Sequence, residues 1–252
     1  MSETGNRKLA VLIDPDNAQA SNCTELLAEI AKFGISSVKR AYGDWTTTNL
    51  KRWKEHLHKH AIQPIQQFSY TTGKNSTDSS LIIDAMDLLH TGHLDGFCLA
   101  SSDSDFTRLA TRLRESGLVV YGFGEKKTPQ PFIPACDKFV YTEILRPQEQ
   151  TLPEVKDESA NAELKNIVLA AIDALSKDDG WTLLSILGGY ISKNNPSFDP
   201  RNYGYSKLGK LIKSLSYVEI EERPFKDDLL NLNIYVRAKT AEKILGNKSK
   251  KT

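Results

Sequence analysis

Acidic side chains recur in three short segments of the chain, each beside an apolar stretch. Asp14 and Asp16 lie in LIDPDN, Asp78 lies in GKNSTDSS, and Asp103 and Asp105 lie in LASSDSDF. Carboxylates that are packed together raise one another's pKa unless a cation neutralises them. A hard divalent ion such as Mg²⁺ or Mn²⁺ takes oxygen ligands, activates water and holds a phosphodiester oxygen. If the fold brings the three segments together, metal-assisted hydrolysis of a phosphodiester is the chemistry that suits them best.

The elements that must position these carboxylates alternate between strands and helices. The segment KLAVLID, residues 8–14, is almost continuously apolar, which is typical of a strand buried on both faces of a parallel sheet. This alternation predicts an α/β fold with an open, mostly parallel sheet flanked by helices. The other predicted strands are 37–42, 62–70, 96–100 and 118–124, and the predicted helices are 23–33, 47–60, 77–90 and 103–116.

The predicted topology brings the acidic segments to one edge of the sheet. In open α/β sheets the site lies in the crevice at the carboxyl ends of the strands. Asp14 ends the first strand, Asp103 follows the fourth, and Asp78 lies in the first turn of the helix after the third. Each aspartate also has a simpler interpretation as a turn former, a helix cap or a partner of a helix dipole. Their combination favours a metal site.

The same segments carry a family resemblance. LIDPDN, GKNSTDSSLIIDAMDLL and FCLASSDSDFTRLATRLRESGLVVYGFG resemble the NYN domain family, a branch of the PIN-like nucleases, over about residues 8–145. The resemblance implies a metal-dependent ribonuclease site formed by aspartates. Asn17 and Ser102 match the polar positions of the family beside that site. The positions that match the catalytic and metal-binding aspartates are Asp14, Asp78, Asp103 and Asp105.

Three further residues are expected to support this site. Asp16 follows Asp14 closely, and Lys74 in the KNSTD segment is a candidate phosphate contact. Asp84 lies six residues after Asp78, about 120° away around a helix, so both cannot point at one ion without help. We therefore expect Asp84 to act behind the ligands, and Asp87 to lie on a solvated face.

Histidines form a second group of possible ligands. In HLHKH, His56 and His60 are spaced i,i+4 and could bind a transition metal on one helix face. No cysteine or carboxylate in the sequence stands at a convincing third position. Since exposed helix histidines are common, we expect no metal role for this pair.

A different enzyme class shares part of the first motif. LIDPDN is similar to the Asp-x-Asp loop of haloacid-dehalogenase-type phosphatases, in which the first aspartate, here Asp14, is a covalent nucleophile. Asn17-Ala18 departs from the residues that usually follow in that loop, and the other motifs of that family are not clear. An aspartyl-phosphate intermediate would support this alternative.

After residue 145 the alternation of strands and helices ends. RPQEQTLPEVKDESA, residues 146–160, has two prolines, many charges and little periodicity, which is typical of a linker. Beyond it we predict helices at 163–175, 182–192 and 206–215 and short strands at 218–222 and 232–236. Three helices followed by a hairpin predict a winged helix-turn-helix. The predicted organisation is an enzyme domain at 1–146, a linker at 147–160, a small domain at 161–238 and a basic tail at 239–252.

The second domain carries its own resemblance. The DGW turn, the Leu-Gly segment and FDPRNYGYSKL are similar to the OST-HTH/LOTUS domain over about residues 161–237. The resemblance implies binding of RNA, either single-stranded or structured, or of a partner protein. Lysines at every third position of the third helix can neutralise phosphates, while Trp181 and Tyr205 are assigned to the core. The predicted RNA-binding residues are Arg201, Tyr203, Lys207, Lys210 and Lys213.

Composition limits the classes of protein and the cellular locations that fit this chain. The chain has 252 residues, 39% hydrophobic and 26% charged, with 33 Lys+Arg against 32 Asp+Glu and a net charge of +1. This balance excludes a strongly basic, indiscriminate nucleic-acid binder but not an enzyme that acts on RNA. The N-terminus has no apolar signal region, no apolar run reaches about 18 residues, and the three cysteines are scattered. We therefore expect a cytoplasmic protein with reduced thiols that does not enter the membrane.

The residues and resemblances together predict a divalent-metal-dependent ribonuclease, a hydrolase with Mg²⁺ or Mn²⁺ as cofactor and RNA as partner. The main alternative from another class is a non-catalytic RNA- or protein-binding adaptor that keeps the fold. An adaptor has no need for clustered carboxylates, which favours the enzyme. Cleavage of RNA, compared with tight binding without cleavage, distinguishes the two.

Overall fold

The computed structural model describes residues 6–68, 76–146, 158–176, 178–225 and 228–239. The chain divides into two compact units, residues 1–148 and 149–252. The domain, linker and tail boundaries predicted from the sequence stay predictions. No helix in the described ranges is long and apolar enough to cross a membrane.

The first unit is built on a parallel six-stranded sheet, which confirms the predicted α/β class. Its strands lie in the order β3-β2-β1-β4-β5-β6, and every neighbouring pair is parallel. The chain therefore winds outward in one direction from β1 and in the other from β4. The strands are β1 (Lys8–Ile13), β2 (Ile35–Gly43), β3 (Gln63–Gln66), β4 (Gly96–Ala100), β5 (Val119–Gly124) and β6 (Lys138–Tyr141).

Helices cover both faces of this sheet. On one face, α1 (Cys23–Ile30) and α2 (Lys51–His60) pack through residues such as Leu26 and Trp53. On the other face lie α3 (Ser76–His90), α4 (Thr107–Glu115) and the short α5 (Phe132–Ala135). The alternation along β1 follows from its pleat, because successive side chains point to opposite faces. This arrangement gives two separate apolar layers and explains why β1 is apolar from Leu9 to Ile13.

The second unit confirms the small domain of helices and a small sheet. Its helices are α6 (Glu158–Leu175), α7 (Leu184–Asn194) and α8 (Leu208–Ser214). Its strands β7 (Thr182–Leu183), β8 (Val218–Phe225) and β9 (Asp228–Ala238) form an antiparallel sheet in the order β7-β9-β8. Its core contains Leu164, Val168, Leu187, Ile191 and Leu211.

Two local predictions were wrong, and two short elements were missed. The missed elements are α5 and β6, which are each four residues long and carry little periodicity. The third strand, predicted to run to residue 70, ends at Gln66 in the described part. Residues 182–183, predicted as the start of a helix, form β7 because they pair with Val236 and Tyr235 of β9.

Candidate functional site

The pleat of β1 determines which face of the sheet receives Asp14. Ala10 and Leu12 point to the layer formed with α3 and α4. Asp14 continues this alternation, and its N–H donates to the carbonyl oxygen of Ala100 at 3.0 Å, so the pairing with β4 extends to this residue. The strand order reverses between β1 and β4, and such a point is where open α/β sheets form their sites. Asp14 therefore lies at the base of that crevice.

Three donors hold the Asp14 carboxylate. It accepts hydrogen bonds from Ser101 Oγ at 2.7 Å, from Asn17 Nδ2 at 2.9 Å and from the N–H of Asp16 at 3.1 Å. Only 1% of Asp14 is exposed. Burial raises its pKa, and the hydrogen bonds from Ser101 and Asn17 oppose that rise. The side chain is thus fixed in position beneath the crevice.

Ser101 connects Asp14 to the loop after β4. Its hydroxyl donates to Asp14 and accepts from the N–H of Asp103 at 3.0 Å. Asp103 in turn accepts from the N–H of Asp105 at 2.9 Å, which caps the short 3₁₀ turn before α4. The Ser102 hydroxyl instead accepts from the N–H of Glu125, at 2.9 Å. Ser102 was predicted from the sequence and Ser101 was not, although of these two serines Ser101 is the one whose hydroxyl bonds to Asp14.

Three of the four predicted ligands come together. Carboxylate oxygens of Asp78, Asp103 and Asp105 all lie within 4.8 Å of one another. Two oxygens bound to one Mg²⁺ lie at most about 4.2 Å apart, so one ion can be reached with small side-chain adjustments. Asp14 is not one of these three, although its charge acts on Asp78.

The electrostatics of Asp78 show that negative charge accumulates here. Its pKa rises to about 6, first because of burial and then because of Asp14, Asp103, Asp105 and Asp16. Burial and the charge of Asp14 also raise the pKa of Asp16. Oxygen donors that repel one another in this way fit a hard divalent cation, which neutralises them.

Of the other residues predicted to support the site, one contacts it and one is bound elsewhere. Asp16 is exposed and touches the site through its backbone N–H. Asp84 does not face the three clustered carboxylates: Arg40 forms an ion pair with it, and the Tyr42 hydroxyl donates to it. These contacts tie α3 to β2 and hold the helix that carries Asp78. Lys74 lies outside the described residues.

In the second unit, two of the predicted RNA contacts also make contacts within the domain. The Arg201 guanidinium pairs with Asp199 through bonds of 3.0 and 2.8 Å, and Asp199 is buried. Tyr203 packs against the core beside Phe198, with ring centres 6.0 Å apart. The three lysines are exposed, as predicted: Lys207 and Lys210, together with Lys213, which pairs with Glu222 at 2.8 Å.

Trp181, which was assigned to the core from the sequence, lies instead beside arginines of the β8–β9 hairpin. Trp181 is half-buried rather than buried, and two guanidinium groups lie over its ring. The centre of the ring is 4.5 Å from Arg237 and 5.1 Å from Arg223. Arg223 also lies over Tyr235 at 4.6 Å. The hairpin folds back over the DGW turn, a contact that sequence spacing could not indicate.

The expectation that no third potential ligand lies near His56 and His60 was wrong. Ligand atoms of His56, His60 and Cys23 lie within 4.8 Å of one another, so α1 places a potential third ligand beside the two histidines. Burial raises the pKa of Cys23 to about 11. Cys23 is thirty-three residues from His56 along the chain, which is why spacing alone did not reveal the group.

Three solved structures are similar to parts of this chain, and their descriptions give no activity. A crystal structure of a protein of unknown function from Vibrio parahaemolyticus RIMD 2210633 is 19% identical, covers 56% of this chain and 96% of its own, and has a TM-score of 0.46. An uncharacterized protein from Nitrosomonas europaea is 36% identical over 38% of this chain and 86% of its own, with a TM-score of 0.31. A Chromobacterium violaceum protein, residues 175–257, is 31% identical over 37% and 87%, with a TM-score of 0.25. No curated protein matches.

Two sequence families match this chain in succession. The NYN domain matches residues 8–145, and the OST-HTH/LOTUS domain matches residues 159–230. The first match contains the parallel sheet and the clustered aspartates of the site, and the second contains α7, α8 and all but the first residue of α6. Because the first match covers more than half of the chain, the protein belongs to the NYN domain family, a PIN-like nuclease family, and carries an OST-HTH/LOTUS domain after it.

Proposed function

We propose that this protein is a divalent-metal-dependent ribonuclease that hydrolyses RNA phosphodiesters. The observation that carries the proposal is the convergence of Asp78, Asp103 and Asp105 within 4.8 Å at the point where the strand order reverses. Asp14 adds a fourth carboxylate at the base of the site. Membership of the NYN family supports nuclease chemistry for this arrangement.

Each residue has a distinct task in this proposal. Asp78, Asp103 and Asp105 would hold Mg²⁺ or Mn²⁺, and the ion would offset the negative charge that develops on the phosphodiester. Asp14 contributes a further negative charge at the base of the crevice, and hydrogen bonds from Ser101 and Asn17 set its position. Ser101 also fixes the backbone of Asp103.

The second unit would bind the RNA that the first unit cleaves. OST-HTH/LOTUS domains bind RNA or proteins. Lys207, Lys210 and Lys213 are exposed on or next to α8, where they can neutralise phosphates. Arg201 and Tyr203 are proposed to hold the turn before α8 in place, because their described contacts are with Asp199 and Phe198.

The alternatives are weaker. A covalent phosphatase mechanism needs an accessible nucleophile, but Asp14 is 1% exposed and accepts three hydrogen bonds. A non-catalytic adaptor would not gain from keeping mutually repelling carboxylates, which cost stability. A cytoplasmic location stays a prediction.

The decisive experiment is RNA cleavage by the full-length protein with Mg²⁺, Mn²⁺ or EDTA. We expect cleavage with metal, none with EDTA, and loss of cleavage in Asp103→Asn. Asp87→Asn is the matched control, since Asp87 is exposed on α3 outside the carboxylate group. Tight RNA binding without cleavage under any metal would favour the adaptor. Cleavage that survives both EDTA and Asp103→Asn would overturn the metal mechanism.

A further inference from the structure

A second group of metal-ligating side chains lies on the opposite face of the sheet from the carboxylates. Cys23 is the first residue of α1, and His56 and His60 lie one turn apart on α2. One ligand atom from each of the three lies within 4.8 Å of the other two. Cys23 belongs to the apolar layer under α1 and α2, whereas Asp14 follows the alternation toward α3 and α4. The two groups are therefore separate.

The two imidazoles are already aligned. Their ring centres are 6.1 Å apart and their planes differ by 6°. His60 Nε2 lies 3.1 Å from Thr24 Oγ1, which ties the ring to α1 beside Cys23. Lys39 Nζ donates to the carbonyl oxygen of His60 at 2.5 Å and fixes the end of α2. The neighbouring elements thus hold the rings in place, as partners around a metal site do.

Two polar atoms next to this group lack the partners that buried atoms normally have. Nδ1 of His56 and Oε2 of Glu25 are shielded from solvent and make no hydrogen bond with any described residue. Buried polar side-chain atoms are rarely left in this state. Glu25 lies two residues after Cys23 on α1, and its charge acts on both Cys23 and His60. A cation between these side chains would give both unpaired atoms a favourable environment.

We propose that Cys23, His56 and His60 form a zinc site, with Glu25 beside it. A thiolate with two imidazoles is a soft ligand set that selects zinc over Mg²⁺. In a tetrahedral zinc site such atoms lie about 3.3–3.5 Å apart, so binding would draw the three together by at most about 1.5 Å. Binding breaks the S–H bond of Cys23, forms a zinc–sulfur bond and releases the proton to solvent.

Neighbouring charges both oppose and favour a cation at this site. Lys39 and Lys59 are cations close enough to influence Cys23, and they oppose a divalent ion. The thiolate formed on binding and the carboxylate of Glu25 offset them. His56 and His60 are half-buried, so the group lies between the solvent and the fully buried Cys23.

Cobalt substitution tests the proposal directly, because Co²⁺ replaces zinc and a sulfur ligand gives it a near-ultraviolet charge-transfer band. The reduced, metal-free full-length protein is titrated with Co²⁺ and then with Zn²⁺. We expect one such band that saturates at one ion per chain and disappears as Zn²⁺ displaces Co²⁺. Oxygen ligands give no such band, so Asp103→Asn should keep it. Its presence in Asp103→Asn also separates this site from the proposed nuclease site.

Variants of two of the three ligands complete the test. Cys23→Ser should lose the band, and His60→Gln should weaken Co²⁺ binding by at least about tenfold. His58→Gln is the matched control, because His58 is exposed on the same helix and should leave binding unchanged. Circular dichroism checks that each variant folds. If Cys23→Ser does not fold, His60→Gln still decides the question. A folded wild-type protein without the band, or affinity unchanged in His60→Gln, would overturn the proposal.

Discussion

Replacing Asp78 by asparagine should stabilise the metal-free protein while destroying its proposed activity. The pKa of Asp78 rises from 3.8 to about 6, through burial and then through the charges of Asp14, Asp103 and Asp105. A carboxyl group with a raised pKa favours folding in its protonated form. Its contribution is therefore fully present below pH 3.8 and is lost as the pH rises through about 6. At neutral pH the ionised Asp78 works against the fold, and asparagine removes that cost.

The size of the effect follows from the same shift. A shift of two pKa units corresponds to about 3 kcal/mol. Asp78 is only half-buried, so solvent and salt screen the repulsion, and we expect about 1 kcal/mol at pH 7.5. The gain should fall to about half of that at pH 5, because the cost accumulates between pH 3.8 and about 6 and only about half of that interval has been passed at pH 5. About 1 kcal/mol raises the Tm of a unit of this size by about 4 °C.

Calorimetry in EDTA at pH 7.5 and pH 5 measures this effect. The two units can unfold separately, so the shift should appear in one transition only. Asp87→Asn on the same helix is the control and should change little. A lower Tm for Asp78→Asn at pH 7.5, or a gain that does not shrink at pH 5, would refute the reasoning.

Three further outcomes are expected. Ser101→Ala removes a hydrogen bond to the buried Asp14 carboxylate and should cost about 2 kcal/mol in denaturant unfolding; a change below about 0.5 kcal/mol would contradict this role. Mn²⁺ should raise the Tm of the first unit more at pH 7.5 than at pH 5, since protons compete for Asp78; equal shifts would argue against these ligands. Replacing Lys207, Lys210 and Lys213 together by glutamine should weaken RNA binding and reduce its salt dependence, measured by fluorescence anisotropy; unchanged affinity would assign that surface another task.

The fold could be predicted where the sequence has length and period. β1 and β4 are buried on both faces and are apolar apart from Lys8 at the start of β1, so their positions follow from composition alone. β6, with the sequence KFVY, has four residues and no turn signal that separates it from a loop. β7 has two residues and exists because β9 lies beside it. Elements this short depend on tertiary partners, which a local pattern does not contain.

The sequence could predict which segments form the site, but not which side chains within them make contact. Strand ends placed Asp14, Asp78 and Asp103 at one edge of the sheet. Which serine after β4 faces Asp14 depends on the direction of two consecutive residues, and LASSDSDF offers two serines in a row. Contacts between distant segments lie beyond reach of any spacing rule. Cys23 beside His60 is one such contact, and Asp84 beside Arg40 is another.

The central claim is that the clustered carboxylates carry metal-dependent RNA cleavage. Its most direct test is the initial rate at which Asp78→Asn cleaves an end-labelled RNA in Mn²⁺ at pH 7.5, compared with the wild-type protein. Because we expect this variant to be at least as stable as the wild type without metal, a loss of rate cannot be attributed to unfolding. The proposal predicts a rate at least about 100-fold lower in Asp78→Asn. A rate within about twofold of the wild type in the folded variant would contradict it.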